Sequence, residues 1–404
     1  MLLSIFMVVF IDLIGFGIVI PILPYYGREF GASASTLGWL MAVYSLMQFL
    51  VAPLWGRLSD RIGRRPVLLM SLLGTGLAQI LLGLAHRFEN PIFWLFFGRI
   101  FAGICAANIS VAYAYVTDVT TPENRARGMG LIGAGFGLGF IVGPAIGGIL
   151  SRWGYQWPMF AAALLTAFNW VIAWFQLQEP LADHQNRETS RSVRRWSLAQ
   201  ARDLLTSPRV GRPILLFFLV TLAITQMEAV FAIFMADRYG FGPERAGVLL
   251  AIMGLVMALV QGILVGKASK KFAEIRLITV GTGVSALALS LFAGATTPTA
   301  VLGALTLMAL SHGFTQPSLS SLASRGAPDS QRGATMGIFH SAGSLARVLG
   351  PPTAGALYDH LGFQSPFWMG ASVLLVASGV AFLLSSSLLP GVSAAEGTTQ
   401  ATSR

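Results

Sequence analysis

The chain has 404 residues, of which 54% are hydrophobic and only 11% are charged. Roughly 25% of the residues of an ordinary soluble domain are charged, so this composition excludes a water-soluble globule and indicates helices that face lipid or one another. The formal net charge is +10, but the basic residues lie in short loops between apolar runs, as membrane topology signals do. No nucleic-acid partner is therefore expected.

A helix needs about 20 residues to cross the hydrocarbon of a bilayer, and twelve apolar runs reach that length. Asp12, Pro21 and Pro24 interrupt the first run and no small-residue cleavage site closes it, so we predict a retained first helix and not a signal peptide. The predicted fold class is an all-α integral membrane protein with twelve transmembrane helices. The runs lie near residues 2–24, 35–56, 66–86, 92–118, 125–151, 157–177, 211–236, 243–266, 275–294, 299–322, 333–358 and 363–386.

The longest polar stretch separates six runs from six and is rich in arginine. We predict an N-terminal six-helix bundle at 1–177, a cytoplasmic linker at 178–210, a C-terminal six-helix bundle at 211–386 and a disordered cytoplasmic tail at 387–404. Positive charge in short loops resists translocation, and the basic loops alternate with loops that hold few arginines. This asymmetry predicts that both termini face the cytoplasm, and the minimal loops favour a bacterial cytoplasmic (inner) membrane.

The two sets of six helices repeat at a constant offset of 207 residues. The repeat predicts two pseudo-symmetric six-helix bundles, an arrangement in which transporters place a solute site between the halves near the middle of the bilayer. A duplication without transport is the alternative. The matched positions are Arg125 with Arg332, Gly130 with Gly337, Gly143-Pro144 with Gly350-Pro351, and Gly148 with Gly355.

The loop after the second run reads GRLSDRIGRRP and resembles the signature of the major facilitator superfamily. The resemblance implies that Asp60 contacts the start of the eleventh helix, with Asp118 and Arg332 as partners, and closes the inner side when the transporter opens outward. A plain surface ion pair, worth under about 1 kcal/mol, is the alternative. The gating residues that the motif contributes are Gly56, Asp60, Arg61, Gly63, Arg64 and Arg65.

The fifth run reads GAGFGLGFIVGPAIGG and carries glycine every fourth residue, on one face of a helix. Pro144 removes a backbone donor within this face. The pattern suits a helix hinge formed by Gly139, Gly143, Pro144 and Gly147, and it suits tight static packing equally well. The run resembles the antiporter motif of drug-exporting facilitators, which implies export.

Resemblance extends over nearly the whole chain to the drug/proton antiporter family, of the kind that includes tetracycline-resistance exporters. It rests on DLIGFGIVIPILP, YSLMQFLVAPLWGRLSDRIGRRPVLL and GRIFAGICAA as well as the fifth run. It implies the major facilitator fold, exchange of a cytoplasmic drug for an external proton, and a polar central cavity.

Charged side chains inside the bilayer are costly and mark functional sites. Asp12 lies midway along the first helix and matches an acidic residue of the family, while Arg99 matches the family's fourth-helix arginine, which is assigned to proton coupling. Glu228 is the second acidic candidate, and a snorkelling position near the interface is its alternative. Arg347 has no matching motif, and purely structural roles stay open for Asp12 and both arginines.

Uncharged polar groups can bind a solute without a large desolvation cost, and methionine gives an adaptable wall. Bridging between helices, or ordinary packing for methionine, is the alternative for each such residue. The candidates for a substrate cavity are Gln48, Asn108, Gln226, Met257, Gln261, Gln316 and His340.

The resemblance fails where tetracycline exporters carry further polar groups in the third, eighth and ninth helices. Ala78, Met257 and Val284 stand there in this chain. Without those groups a metal-chelated, charged drug loses its partners, so an apolar or weakly cationic drug fits better than tetracycline.

The predicted function is a proton-coupled antiporter that exports small drugs by alternating access, with protons and the lipid bilayer as its other partners. A facilitative or proton-symport transporter of a sugar, amino acid or other metabolite is the alternative, and a non-transporting receptor on the same fold is a further one. No HExxH, P-loop, GxSxG or Cys/His metal cluster occurs in the sequence, so we expect no enzyme activity, cofactor or metal. We expect a monomer.

Overall fold

The computed structural model describes residues 2–106, 108–120, 122–180, 198–328 and 331–388. All regular secondary structure in these residues is helical, which confirms the predicted class. The helices before the linker are α1 (Leu2–Glu29), α2 (Ala34–Ile62), α3 (Arg64–Leu84), α4 (Pro91–Cys105), α5 (Asn108–Val119), α6 (Pro122–Leu150) and α7 (Gln156–Gln176).

The part of the linker that the structure describes contains a short helix, α8 (Leu198–Thr206). The remaining helices are α9 (Pro208–Tyr239), α10 (Pro243–Leu259), α11 (Val265–Lys271), α12 (Glu274–Gly294), α13 (Pro298–Gly326), α14 (Arg332–Leu361) and α15 (Ser365–Leu388). A π-helical turn, Val260–Leu264, lies between α10 and α11 in the sequence.

Eight helices among the described residues are long and apolar enough to cross a membrane. The other four predicted spans correspond to α4 with α5, to α6, to α13 and to α14. Large apolar side chains such as Phe175, Leu361 and Leu383 are exposed, at 79%, 72% and 68%. Large apolar side chains that are exposed to this extent contact lipid and not water, so the chain is a multi-pass membrane protein.

Contacts divide the chain into two compact units. The first contains the described residues up to Pro180 together with Thr225–Ala258 and Arg347–Pro366. The second contains α8, the beginning of α9, Leu259–Ala346 and the residues from Phe367 onward. The sequence-based halves rest on duplication and not on contacts, so the boundaries at 177 and 211 stay a prediction.

Within the first unit, α1 is surrounded by its neighbours. It packs most extensively on α6 and also on α7, while α3 packs on α7 and α2 packs on α4. Isoleucine, leucine and valine side chains of α1 are buried on every face of the helix. A helix buried all round is apolar all round, which is why Asp12 stands out in this run.

Candidate functional site

Asp12, Tyr44 and Arg99 lie around one small cavity in the first unit. Arg99 is only 5% exposed, its guanidinium carbon lies 4.3 Å from the centre of the Tyr44 ring, and its Nε donates to the Leu40 carbonyl at 3.4 Å. Asp12 and Arg99 also act electrostatically on Tyr44. The structure thus places two of the proton-coupling candidates around one cavity, together with a tyrosine that the sequence analysis did not single out.

Glu228 of α9 and Arg347 of α14 belong to the same unit and attract one another. Both side chains retain exposed surface. Arg347 also acts electrostatically on Tyr44. The second acidic candidate therefore has an arginine partner within the bilayer-spanning region, which fits a buried site better than the interface position.

The cavity candidates are distributed over both units. Gln48, Gln226 and Met257 belong to the first unit, while Gln261, Gln316 and His340 belong to the second. Gln226 is buried, and its Nε2 donates to Thr353 Oγ1 at 3.3 Å. Gln261 lies in the π-helical turn, a feature often found at functional sites. The side chain of Asn108 lies outside the described residues.

The fourth predicted span contains a break between α4 and α5 that the sequence analysis did not predict. Three carbonyl groups that end α4 accept side-chain hydrogen bonds from α2 and α3: Ile104 from Trp55 at 2.6 Å, Cys105 from Ser71 at 2.6 Å, and Ala106 from Gln48 at 3.2 Å. Broken helices are tolerated at membrane depth only when such partners satisfy the freed groups. Gln48 therefore donates a hydrogen bond at the break that follows α4, the helix that contains Arg99.

The predicted gating loop forms an ion-pair network between α2, α3 and α5. Arg64 is buried, and it contacts Asp60 Oδ1 at 2.7 Å, Asp118 Oδ2 at 3.0 Å and Ser59 Oγ at 2.6 Å. The structure therefore unites Asp60, Arg64 and Asp118. Arg332 begins α14 in the second unit, and its predicted contact with Asp60 stays a prediction.

The other members of the motif differ in their surroundings. Arg61 is exposed, and a Cβ atom on Gly56 would meet open space. Arg65 donates to the Trp174 carbonyl at 2.7 Å and lies 5.3 Å from the centre of the Trp174 ring. Arg65 thus fastens the start of α3 to the end of α7.

Glu179, which the sequence analysis did not single out, caps α3. Its two carboxylate oxygens accept the backbone N–H groups of Arg64 at 3.0 Å and Arg65 at 2.9 Å. Gly63 precedes them with φ of 106°, and a Cβ atom there would lie 2.5 Å from Glu179 Oε2. This explains the glycine of the motif, since both the backbone angle and the carboxylate exclude a side chain.

The glycine face of α6 packs on the backbone of α1. A Cβ atom would lie 2.8 Å from Leu13 Cβ at Gly139, 2.6 Å from the Gly17 backbone at Gly143, and 2.7 Å from the Ile18 carbonyl oxygen at Gly147. Close packing, the second interpretation of this motif, is thus observed at these positions. A hinge at Gly139, Gly143, Pro144 and Gly147 stays a prediction.

Two helix crossings, equivalent under the 207-residue repeat, lie at the ends predicted to face outside the cell. At the α6–α10 crossing a Cβ atom on Gly148 would lie 2.9 Å from the Pro243 carbonyl oxygen. At the α2–α14 crossing a Cβ atom on Gly355 would lie 2.2 Å from the Ala34 carbonyl oxygen. The repeat, noted in the sequence as Gly148 and Gly355, is the signal that could have found them.

Charged groups reinforce both crossings. Arg152 forms a bidentate pair with Glu244 in the first turn of α10, its Nε lying 2.7 Å from Glu244 Oε2. Asp359 of α14 accepts the N–H groups of Ala34 and Ser35 at 3.1 and 2.8 Å. These contacts join helices of the two predicted halves within the first unit.

A third polar contact at the same ends links α1 with α9 and α14. Arg28 pairs with Asp237, which also accepts the Tyr358 hydroxyl at 2.6 Å, and the Tyr25 hydroxyl donates to the Phe241 carbonyl at 3.0 Å. Together these contacts hold the predicted outer ends of three helices, α1, α9 and α14, against one another.

Comparison with known proteins agrees with this architecture. Residues 5–351 and 276–402 match the Major Facilitator Superfamily. The tetracycline resistance protein, class C, of Escherichia coli is 36% identical over 86% of this chain and 87% of its own length. Multidrug resistance protein 2 of Bacillus subtilis (strain 168) is 28% identical over 92% of each chain.

Solved structures show the same fold at greater sequence distance. The crystal structure of a bacterial homolog to the human lysosomal transporter Spinster superposes with a TM-score of 0.78 at 17% identity, over 96% of this chain and 97% of that one. The resemblance drawn from the loop and helix motifs is confirmed. The chain belongs to the Major Facilitator Superfamily.

Proposed function

We propose that this chain is a proton-coupled antiporter that exports small, lipophilic or weakly cationic drugs across the cytoplasmic membrane by alternating access, with both termini in the cytoplasm. The observation that carries the proposal is the intramembrane group of Asp12, Tyr44 and Arg99 around a shared cavity. Relatives named for tetracycline and multidrug resistance, which cover most of the chain, support drugs as the substrates.

Asp12 is the proposed proton carrier. Asp12 and Arg99 act on Tyr44 with opposite electrostatic effects, so protonation of Asp12 would change the balance of charge around this ring. Because charges inside a bilayer are costly, such a change alters the balance between two packed arrangements of the helices. Glu228 and Arg347 form the second proposed charge pair, exposed to the space that a substrate would enter.

Aromatic rings beside these charges favour an apolar or weakly cationic substrate. The Phe16 ring lies 5.4 Å from the Tyr44 ring and 6.2 Å from the Phe140 ring, centre to centre. Such rings attract cations and apolar surfaces alike. Ala78 is fully buried where the family's tetracycline exporters carry an acid, so we expect ethidium to be exported better than tetracycline.

Two sets of contacts are the proposed gates. The network of Asp60, Arg64 and Asp118, with Arg332 as its proposed fourth member, would close the inner side. The α6–α10 and α2–α14 crossings would close the outer side. Alternating access then requires that one set separates when the other forms.

The test is export from cells stripped of their own exporters. Efflux of ethidium, a neutral dye and tetracycline would be followed with and without a protonophore, for the wild type and for Asp12→Asn. We expect ethidium efflux that the protonophore stops and that Asp12→Asn abolishes. Asp203→Asn, which changes an exposed carboxylate of α8, is the matched control and should export normally.

Two outcomes would overturn the proposal. Full uphill export by Asp12→Asn would remove Asp12 from proton coupling. Absence of efflux for every compound, with the protein present in the membrane, would favour a metabolite transporter and call for an uptake screen with sugars and amino acids.

A further inference from the structure

The cavity beside Asp12 is the size of a water molecule and contains two unsatisfied polar atoms. Its volume is about 20 Å³, enough for one water. Thr75 and Gln79 of α3 lie in its wall with Asp12, Tyr44 and Arg99. Gln79 is 6% exposed, and neither its Oε1 nor Thr75 Oγ1 has a hydrogen-bond partner among the residues that the structure describes.

Buried polar groups without partners are rare because each loses its hydration on folding. The other threonine of the wall shows the usual arrangement, since Thr166 Oγ1 donates to the Ala162 carbonyl at 2.8 Å. Two unsatisfied oxygens in one wall therefore indicate an occupant that forms hydrogen bonds with both.

The chemistry of the wall selects that occupant. Arg99 opposes a bound cation, while Asp12 and Gln79 Oε1 oppose an anion. The volume excludes a drug. A water molecule can accept a hydrogen bond from the Thr75 hydroxyl and donate to Gln79 Oε1 and to the Asp12 carboxylate, so it suits both unsatisfied atoms and the acid.

We propose that Thr75 and Gln79 hold one ordered water beside Asp12 and that this water conducts the proton to and from the Asp12 carboxyl group. In the loading step the water gives one proton to the carboxylate and takes one from solvent that reaches the cavity mouth when that side of the transporter is open, so that its own composition is unchanged. The unloading step is the reverse. Thr75 and Gln79 are positioning residues in this relay, which rests on the antiport function proposed above.

The test uses purified protein in proteoliposomes with ethidium as the probe. Thr75→Val and Gln79→Leu keep the approximate shape of the side chains and remove the water's partners. We expect uphill transport driven by a pH gradient to fall at least about tenfold, as when a proton-transfer path is lost. Ethidium–ethidium exchange at equal pH needs no proton release and should stay at the wild-type rate.

The repeat provides the matched control. Thr282 lies 207 residues after Thr75, is fully buried, and its Oγ1 already donates to the Ile278 carbonyl at 2.8 Å. Thr282→Val should leave both transport modes unchanged. Wild-type uphill rates in Thr75→Val and Gln79→Leu, or an equal loss of exchange and uphill transport, would overturn the relay.

A second measurement is independent of transport and so separates failure of this inference from failure of the antiport proposal. Infrared spectra of the wild type in H₂¹⁶O and H₂¹⁸O should contain an isotope-sensitive O–H band of a bound water. The band should be absent from Thr75→Val and Gln79→Leu and present in Thr282→Val. A band that persists in both α3 variants would place the water elsewhere and contradict the proposal.

Discussion

Ser35 and Asp359 join the predicted outer ends of α2 and α14 by a 2.8 Å hydrogen bond from the Ser35 N–H group to Asp359 Oδ2. The carboxylate thus caps α2, where unpaired N–H groups and the helix dipole favour negative charge. Asp359 corresponds to Arg152 under the 207-residue repeat, and Arg152 binds Glu244 at the start of α10. The two crossings are therefore equivalent in position. At the α2–α14 crossing the carboxylate is that of Asp359 on α14, whereas at the α6–α10 crossing it is that of Glu244 on α10.

Removing the Asp359 carboxylate should open the predicted outer side. Loss of such a cap changes stability by about 1 kcal/mol, which is roughly a fivefold change in the ratio of open to closed molecules. Spin labels at the exposed positions Trp39 and Leu361, in a Cys105→Ser background, would report the distance between α2 and α14. We expect Asp359→Ala to increase the fraction of molecules in which the two labels are far apart. Asp203→Ala should give the same distance distribution as the wild type.

The Arg152 and Glu244 pair predicts a charge-swap result. Arg152→Glu and Glu244→Arg each place like charges together at the α6–α10 crossing and should slow export, because that crossing closes less readily. The double variant restores an opposite pair and should recover most of the rate. Both side chains are partly exposed, so added salt should reduce the defect of the single variants. Equal defects in the single and double variants would show that the pairing has no role.

The spans, the gating-loop motif and the acidic residue within the first span could be predicted from the sequence. Apolar runs of fixed length define spanning helices, and an acid within such a run is conspicuous because its surroundings are apolar. The break after Cys105 was missed because the run stays apolar across it. In the sequence, the break is signalled only by the polar residues on other helices that bind its carbonyl groups. Of these, Gln48 was interpreted as a cavity residue and Trp55 was not considered.

Glu179, Asp237 and Asp359 could not be predicted, since each contacts residues more than 100 positions away in sequence. An acidic residue beside a spanning helix does not stand out in the sequence, and only the packing of the helix ends decides which residues its carboxylate contacts. The repeat carried part of this information, because Gly148 and Gly355 mark crossings that bring a charged residue to a helix start.

The cap that Glu179 provides should matter for stability and for the inner gate. Glu179→Ala leaves two N–H groups of α3 without their partner, and loss of a helix cap costs about 1 kcal/mol. Thermal unfolding of the purified protein should shift to lower temperature, and the network of Asp60 and Arg64 should loosen. Glu89→Ala, at an exposed loop carboxylate, is the control and should unfold like the wild type. Identical unfolding curves for both variants would contradict a capping role.

The packing of α6 on α1 predicts opposite outcomes for two glycines of the same motif. At Gly143 a Cβ atom would lie 2.6 Å from the Gly17 backbone, which cannot rotate away as a side chain could. Gly143→Ala should therefore force α1 and α6 apart and lower the stability of the folded protein by about 1–3 kcal/mol. At Gly137 the nearest atom would lie 4.0 Å away, so Gly137→Ala adds only the helix propensity of alanine. Heating the detergent-solubilised proteins and measuring the monodisperse fraction should show a lower midpoint for Gly143→Ala and an unchanged or higher one for Gly137→Ala. Equal midpoints would mean that α1 and α6 separate without cost at this depth, and the glycine face would then be better explained by motion between them than by close packing.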